Sequence, residues 1–291
     1  MSTATAILFP GQGSQRDGMG DDVRAIAPEL HELVVEEVGA DPFPRVAEGT
    51  RFAQPAILCA ALAAWIGAGR PPADAFAGHS LGELGAAAAA GAITLEDAVR
   101  LAVQRGRLMG EAAEQEPGGM LALLCPVGVA AELAQASGTT VANDNAPTQV
   151  VLSGPLLAIA EAARVAKARQ VRTIHLPVGG AFHSEAMRPA LEPFRELLGK
   201  AAVQVPSAAF VSSTTARQAA TPDEVRDALA RAIVEPVRWR ETVEELHGRG
   251  CEEFVETGPG KALTGMVRRT LDGVAVSTLS SREHLTGAAN A

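Results

Sequence analysis

Hydrophobic positions follow two rhythms along this chain. Short runs at Ala6 to Phe9, Ala75 to Ala77, Ala209 to Ser213, Glu253 to Glu256 and Val274 to Leu279 predict strands, Ala6 to Phe9 being continuously apolar. Between them, helical periodicity predicts helices at 21–37 and 54–67, the second nearly all apolar and so buried on several sides. An alanine-rich helix at Leu84 to Ala90 is closed by Gly91, and a long one runs from the Thr94 cap to Gln115. Further helices are predicted from Ser184 to Leu198, from the capping box Thr221-Pro222-Asp223-Glu224, at Arg240 to His247 and at Lys261 to Leu271. The last dozen residues, small and polar, are expected to fray.

From Met120 the order changes. Leu121 to Leu124, Thr139 to Ala142, Gln149 to Ser153 and Val171 to Val178 read as strands, with helices at Val129 to Gln135 and Leu156 to Arg169. That is β-α-β-β-α-β, the ferredoxin-like order. Gly118-Gly119 before it and Gly179-Gly180 after it read as hinges. The expected architecture is therefore α/β: a large subdomain with a parallel sheet (1–118 and 181–291) and an inserted ferredoxin-like small subdomain (119–180), with a ligand cleft at their interface.

Composition narrows the setting. A net charge of −9 on 291 residues disfavours nucleic acid and anionic membrane as partners. Cys59, Cys125 and Cys251 are odd in number and lie in apolar segments, as small core residues of a reducing compartment do. The N-terminus lacks a signal-peptide pattern, and the longest apolar stretch, Pro55 to Gly69, is too short to span a bilayer. The expectation is a cytoplasmic globular protein.

Chemistry concentrates at Gly78-His79-Ser80-Leu81-Gly82. Gly-x-Ser-x-Gly between a strand and a helix is a nucleophile elbow, its glycines required because a Cβ at 78 or 82 would collide with the neighbouring strand or helix. It presents Ser80 at a helix N-terminus, which favours developing negative charge. The loop Pro10 to Gln15 lacks the lysine of a P-loop and the spacing of a dinucleotide fingerprint, so its use is to bring backbone N–H groups to a ligand. On the 94–115 helix, Arg105 falls in the middle of the apolar face. Two readings stand side by side: a structural pair with Glu83, or a fork that grips a substrate carboxylate.

Of six histidines, His31 and His247 sit among polar neighbours, His284 in the tail and His175 in a strand of the insert. His79 is pointed away from Ser80 by strand alternation. His183 follows a double glycine where the chain returns from the insert, and is the candidate base for Ser80. No acid is spaced to complete a triad, so a backbone carbonyl could orient the imidazole.

These residues resemble the malonyl-CoA:acyl carrier protein transacylase family, including the acyltransferase domains of fatty acid and polyketide synthases. The resemblance rests on Phe9-Pro10-Gly11-Gln12-Gly13-Ser14-Gln15, Gly78 to Glu83, Gln104-Arg105-Gly106 and Gly180-Ala181-Phe182-His183-Ser184. Asn143 to Pro147, Pro236-Val237-Arg238-Trp239 and Gly258 to Lys261 add to it. It implies Ser80 as acyl-accepting nucleophile, His183 as base, the N–H groups of Gln12 and Leu81 as oxyanion hole, and Arg105 as clamp for the malonyl carboxylate. It assigns the carbonyl that orients the histidine to Arg238, where the family often has glutamine. Ala-Phe-His-Ser is the form associated with malonyl, and Leu84-Gly85 replaces the more usual Tyr-Ser. The implied substrates are malonyl-CoA and an acyl carrier protein, handled by a monomer that needs no cofactor. Lys261, Arg268 and Arg269, expected on one helix, are the candidate carrier-docking surface. The alternatives are an acyl hydrolase that clears carrier proteins, which has no reason to keep Arg105, and a non-catalytic docking module.

Overall fold

Ala4–Phe9 (β1) lies at the centre of the molecule, and its side chains show how the core is divided. Alternation along the strand sends Ile7 and Phe9 into one hydrophobic cluster and Ala6 and Leu8 into another, on opposite faces of the same sheet. Burying one such large side chain contributes about 1.5–3 kcal/mol. This computed structural model describes residues 4–279. The expected fraying of the last dozen residues and the position of His284 lie outside that range.

After β1 come Met19–Ile26 (α1), Pro28–Val38 (α2) and Thr50–Gly67 (α3), then Ala75–Gly78 (β2), Gly82–Ala89 (α4) and Leu95–Gln115 (α5). The insert comprises Gly118–Leu123 (β3), Val127–Ser137 (α6), Thr140–Ala146 (β4), Gln149–Pro155 (β5), Leu156–Ala168 (α7) and Thr173–His175 (β6). The chain then continues through Arg188–Lys200 (α8), Ala209–Ser212 (β7), Arg217–Gln218 (β8), Pro222–Arg231 (α9) and Trp239–Gly248 (α10). It ends its described course in Cys251–Thr257 (β9), Ala262–Thr270 (α11) and Ala275–Leu279 (β10).

The large sheet has the order β10-β9-β1-β2-β7-β8, parallel throughout except for β8. Parallel sheets need cover on both faces. Here α10 and α11 cover one, through Trp239, Leu246, Leu263 and Val267, and the remaining helices outside the insert cover the other. The small sheet, β4-β5-β3-β6, is antiparallel and has the ferredoxin-like strand order. Leu121, Leu123, Val150 and Leu152 pack under α6 and α7, while Met120, Ala122 and Val151 on its other face join the core of the large part.

The structure amends the sequence reading at four points. The helix expected at 21–37 is two, broken at Ala27 (φ −139°, ψ 66°), because the residue before Pro28 is pushed out of the helical region. The short antiparallel strand β8 had no pattern to announce it. The last strand of the insert shortens to Thr173–His175. Gly118 and Gly180, read as hinges, sit in close contacts: a Cβ would lie 2.7 Å from that of Ala181 at the first, and 2.8 Å from that of Ala113 at the second. Gly118 and Gly119 open β3, and a bridge between Pro117 and Gly180 closes the foot of the insert.

Candidate active site

Among the described glycines, the closest backbone contacts are at the elbow. A Cβ on Gly78 would lie 1.9 Å from the carbonyl carbon of Gly82, and one on Gly82 would lie 2.0 Å from the carbonyl oxygen of Phe9. Both glycines are therefore dictated by backbone contact. Between them Ser80 takes a left-handed conformation (φ 54°), which costs a non-glycine residue about 1–3 kcal/mol. The turn is held by His79 N–H donating to the Phe9 carbonyl (2.9 Å) and Glu83 N–H donating to the Ser80 carbonyl (3.1 Å). Ser80 Oγ consequently stands at the head of α4, beside β1.

His183 arrives from the other side, also at positive φ (58°), and its Nε2 lies 2.8 Å from Ser80 Oγ. Its Nδ1 is 3.0 Å from the carbonyl of Glu235. A carbonyl can only accept, so Nδ1 carries the proton and Nε2 is free to accept from the Ser80 hydroxyl. Burial, with the nearby Arg105 charge and His79 adding to it, pulls the His183 imidazole down to about 3, which keeps it neutral at physiological pH.

The orienting carbonyl is thus that of Glu235, not Arg238. Pro236 pushes Glu235 out of the helical region and ends the turn after α9, so no helical N–H continues on to the Glu235 carbonyl, while the N–H that Pro236 lacks leaves the Ala232 carbonyl to Arg105. The Arg238 carbonyl is already occupied at the start of α10, accepting from Thr242 N–H (2.9 Å) and Thr242 Oγ1–H (2.8 Å). The Arg238 side chain points elsewhere, to Glu241 and the Thr215 carbonyl.

Arg105 is 3% exposed and reaches the same spot from α5. Its guanidinium donates to Gln54 Oε1 (2.7 Å), the Ala232 carbonyl (3.2 Å) and Ser80 Oγ (3.2 Å). All three partners are neutral. The structural pair with Glu83 is not made: Glu83 acts on Arg105 only as a through-space charge, and its carboxylate is taken up by Ser212, Ser213 and Thr214. Burial draws Arg105 down to about 10, so it remains a cation at neutral pH, with its hydrogen bonds spent on dipoles.

Ser80, His183 and Arg105 line one cavity of about 210 Å³ between the two sheets, with Met120, Val151 and Leu176 of the insert as its apolar wall. Gln12 and Leu81 line it too. Neither of their backbone N–H groups donates to another protein group among the described residues. The 10–13 loop sits close against the elbow, since a Cβ on Gly11 would lie 2.6 Å from the His79 carbonyl oxygen. His79 also faces this cavity but makes no bond to Ser80. Its Nε2 donates to Asn145 Oδ1 (2.8 Å), and its ring lies 5.4 Å from that of Trp239. At the cavity edge Arg269 donates to Gln149 Oε1 (2.7 Å), whereas Arg268 turns to the Val276 carbonyl. Lys261 is exposed and precedes α11 as its cap, so it does not share the helix with them.

The sequence reading missed three participants. Gln54 carried a signal, an amide at the head of an otherwise apolar helix and only 2% exposed. Asn145 lies in a stretch the resemblance had flagged, without a role. Glu235 acts through its backbone, which no side-chain pattern reveals. Among the described residues no group of three or more His, Cys, Asp or Glu is placed to hold a metal ion, and no helix is long and apolar enough to cross a membrane.

Residues 7–285 match the family described as "Acyl transferase domain". The chain is 36% identical over 298 residues to the malonyl CoA-acyl carrier protein transacylase of Escherichia coli (strain K12), covering 96% of each. It is 37% identical to the polyketide biosynthesis protein ThaF of Burkholderia thailandensis, spanning 98% of this chain but 26% of that one. Among solved structures, the acyl-carrier-protein S-malonyltransferase of Burkholderia pseudomallei 1710b superposes with a TM-score of 0.88 at 34% identity, over 99% of this chain and all of that one.

Proposed function

The chain belongs to the acyl transferase domain family, and from that premise we propose that it moves a malonyl group from malonyl-CoA, through an ester on Ser80, to the phosphopantetheine thiol of an acyl carrier protein. The observation that carries this reading is the position of Arg105: a buried cation with neutral partners, 3.2 Å from the serine that has its own base. A hydrolase of simple acyl groups has no use for that charge. A carboxylate at the far end of the acyl group does, and the guanidinium fork matches it bidentately.

In the proposed reaction, Ser80 Oγ gives its proton to His183 Nε2 and attacks the thioester carbonyl carbon. The negative charge on the carbonyl oxygen is received by the unspent N–H groups of Gln12 and Leu81, each such donor being worth about 10²–10³ in rate. The intermediate collapses, the C–S bond breaks, and CoA sulfur takes the proton from His183. The carrier thiol then enters the same site, gives its proton to His183, and attacks the ester, restoring the Ser80 hydroxyl. The Glu235 carbonyl holds the Nδ1 proton throughout. Nucleophile, base, donors and clamp are side chains and backbone of one chain, so a monomer suffices and the steps call for no metal or redox group. In this reading the chain divides into 1–118 with 181–291, and 119–180, with nucleophile and base on the large part and the apolar cavity wall on the insert. Three buried, free cysteines agree with a cytoplasmic setting.

We place the carrier at the cavity rim, near Arg269, with Arg268 and Lys261 as neighbouring positive charges. Intact-protein mass after brief incubation with malonyl-, methylmalonyl- and acetyl-CoA tests the core of the reading. A malonyl adduct on Ser80, formed in preference to acetyl, is expected; an acetyl preference or absence of any adduct would overturn it.

A further inference from the structure

Glu83 is almost fully buried, at 1% exposure, three residues beyond Ser80 on the elbow helix. Nothing in the reaction above uses it. Its Oε1 accepts from Ser212 Oγ–H (2.9 Å), Ser213 Oγ–H (2.9 Å), Thr214 N–H (3.2 Å) and Ser213 N–H, while Oε2 is buried and has no partner among the described residues. Four donors converging on one oxygen favour the charged carboxylate, whose hydrogen bonds are about twice as strong as neutral ones, against burial, which raises Glu83 to about 7.

The contacts continue beyond β7. The carbonyl of Ser213 accepts from Arg238 N–H at 2.6 Å. The same segment is pinned to the small sheet, Val237 N–H donating to the Ala142 carbonyl (2.8 Å) and Asp144 N–H to the Val237 carbonyl (2.9 Å). Two residues before Val237, the Glu235 carbonyl receives His183 Nδ1–H, and His183 Nε2 faces Ser80. The path is closed: from Ser80 along the elbow to Glu83, across to Ser213, to Arg238, back along the segment to Glu235, and through His183 to Ser80. Glu83 and Ser213 are 130 residues apart in sequence, and Ser80 and His183 are 103 apart, so the chain itself supplies no short tether.

We propose that Glu83 is a positioning residue for the Ser80–His183 pair, fastening the helix that carries the nucleophile to the segment whose carbonyl orients the base. The proposal rests on the reading of those two residues as nucleophile and base. A side chain that merely satisfied the end of β7 would contribute to stability alone. One that sets the distance between Ser80 and His183 contributes to reactivity, and does so only while His183 is present.

The test uses the full chain and a fluorophosphonate, which reports the reactivity of a base-activated serine without reference to any acyl substrate. Labelling rates at Ser80 are read by intact mass for the wild type, Glu83→Gln, Ser213→Ala, His183→Ala and the double variant Glu83→Gln/His183→Ala, each beside its melting temperature. Glu83→Gln keeps the shape and loses the charge. It is expected to slow labelling by about 100-fold, the scale of a small misplacement of reacting groups. Ser213→Ala removes one donor and leaves its N–H, and is expected to slow it by about 2–10-fold. In the His183→Ala background, Glu83→Gln should add nothing, because its effect passes through the missing base. Wild-type labelling in Glu83→Gln, or an equal slowing with and without His183, would overturn the proposal. Should Glu83→Gln fail to fold, Ser213→Ala with and without His183→Ala makes the same comparison. A wild type labelled at Ser80 that takes up no malonyl would sink the substrate reading and leave the role of Glu83 standing; a wild type that is not labelled would sink both.

Discussion

Ser80 and His183 face each other across 2.8 Å, both at positive φ, yet they are held by different means. The backbone of Ser80 is shaped by residues within a few positions of it or on the adjacent strand: two glycines in backbone contact, the Phe9 carbonyl, the first turn of α4. His183 is held by a carbonyl 52 residues away, on a segment anchored in turn to β4 and β7. A local device depends on residue types and tolerates no added atom. A distributed one depends on where several backbones meet, and is indifferent to many of the side chains involved. The two halves should therefore fail differently when perturbed.

The largest effect is expected at the centre. Ser80→Ala and His183→Ala should each lower malonyl transfer by about 10⁶, the scale seen when either member of a coupled nucleophile–base pair is removed. They differ in kind. The serine variant can form no adduct at any time, whereas the histidine variant should still accumulate one slowly, visible by intact mass over hours. A malonyl adduct elsewhere on the Ser80→Ala protein would remove the elbow from the reaction.

Arg105 belongs to neither half and tests what the pair is for. Losing one partner of a buried charged contact costs roughly 2–5 kcal/mol, so Arg105→Ala should reduce kcat/KM for malonyl-CoA by tens to thousands of fold. Acetyl-CoA has no carboxylate to lose, and its kcat/KM should hold or rise. An unchanged malonyl-to-acetyl ratio with a lowered melting temperature would make Arg105 structural instead.

The pH response separates the two halves again. His183, ordinarily 6.5, is drawn down to about 3, so between those values the unfolded chain binds a proton that the folded one does not. Its contribution to stability is present above pH 6.5 and is lost as pH falls toward 3. Glu83 has the opposite sign: burial raises it from 4.5 to about 7, so the folded chain holds the extra proton and stability declines as pH rises across that window. Melting temperature against pH should therefore fall less steeply below pH 6.5 in His183→Ala than in the wild type, and in Glu83→Gln it should lose the opposing slope between 4.5 and 7. His183 should contribute no limb centred near 6.5 to the wild-type acylation rate, since it is already neutral there; a limb near 7 should follow Glu83 and vanish in Glu83→Gln. A limb near 6.5 that survives in Glu83→Gln would contradict the buried, neutral imidazole.

The smallest effect is expected at Arg238. Arg238→Ala removes a side chain whose contacts, to Glu241 and the Thr215 carbonyl, are both exposed, and exposed pairs contribute about 0–1 kcal/mol. Turnover should stay within about threefold of wild type, measured as kcat for malonyl transfer. A larger loss would give the Arg238 side chain a part in the site beyond its exposed contacts.

What the sequence determined by itself was whatever a few consecutive residues settle. The elbow was legible because backbone collisions at Gly78 and Gly82 admit only glycine, and the starts of α5 and α9 because Thr94 and Thr221 satisfy N–H groups three residues on. The ferredoxin-like order of the insert followed from alternation and period, and the break at Ala27 was available in Pro28, had its effect on the preceding residue been weighed. Arg105 showed as an anomaly on an apolar face, but its periodicity could not say which anion it awaited. Tertiary structure removed one candidate, giving Glu83 to the end of β7 and leaving the guanidinium among neutral partners beside Ser80. The choice of Glu235 over Arg238 was decided there too. Both residues present the same carbonyl to a reader of sequence, and only the proline turn after α9 and the occupied cap of α10 determine which one is free to face the histidine.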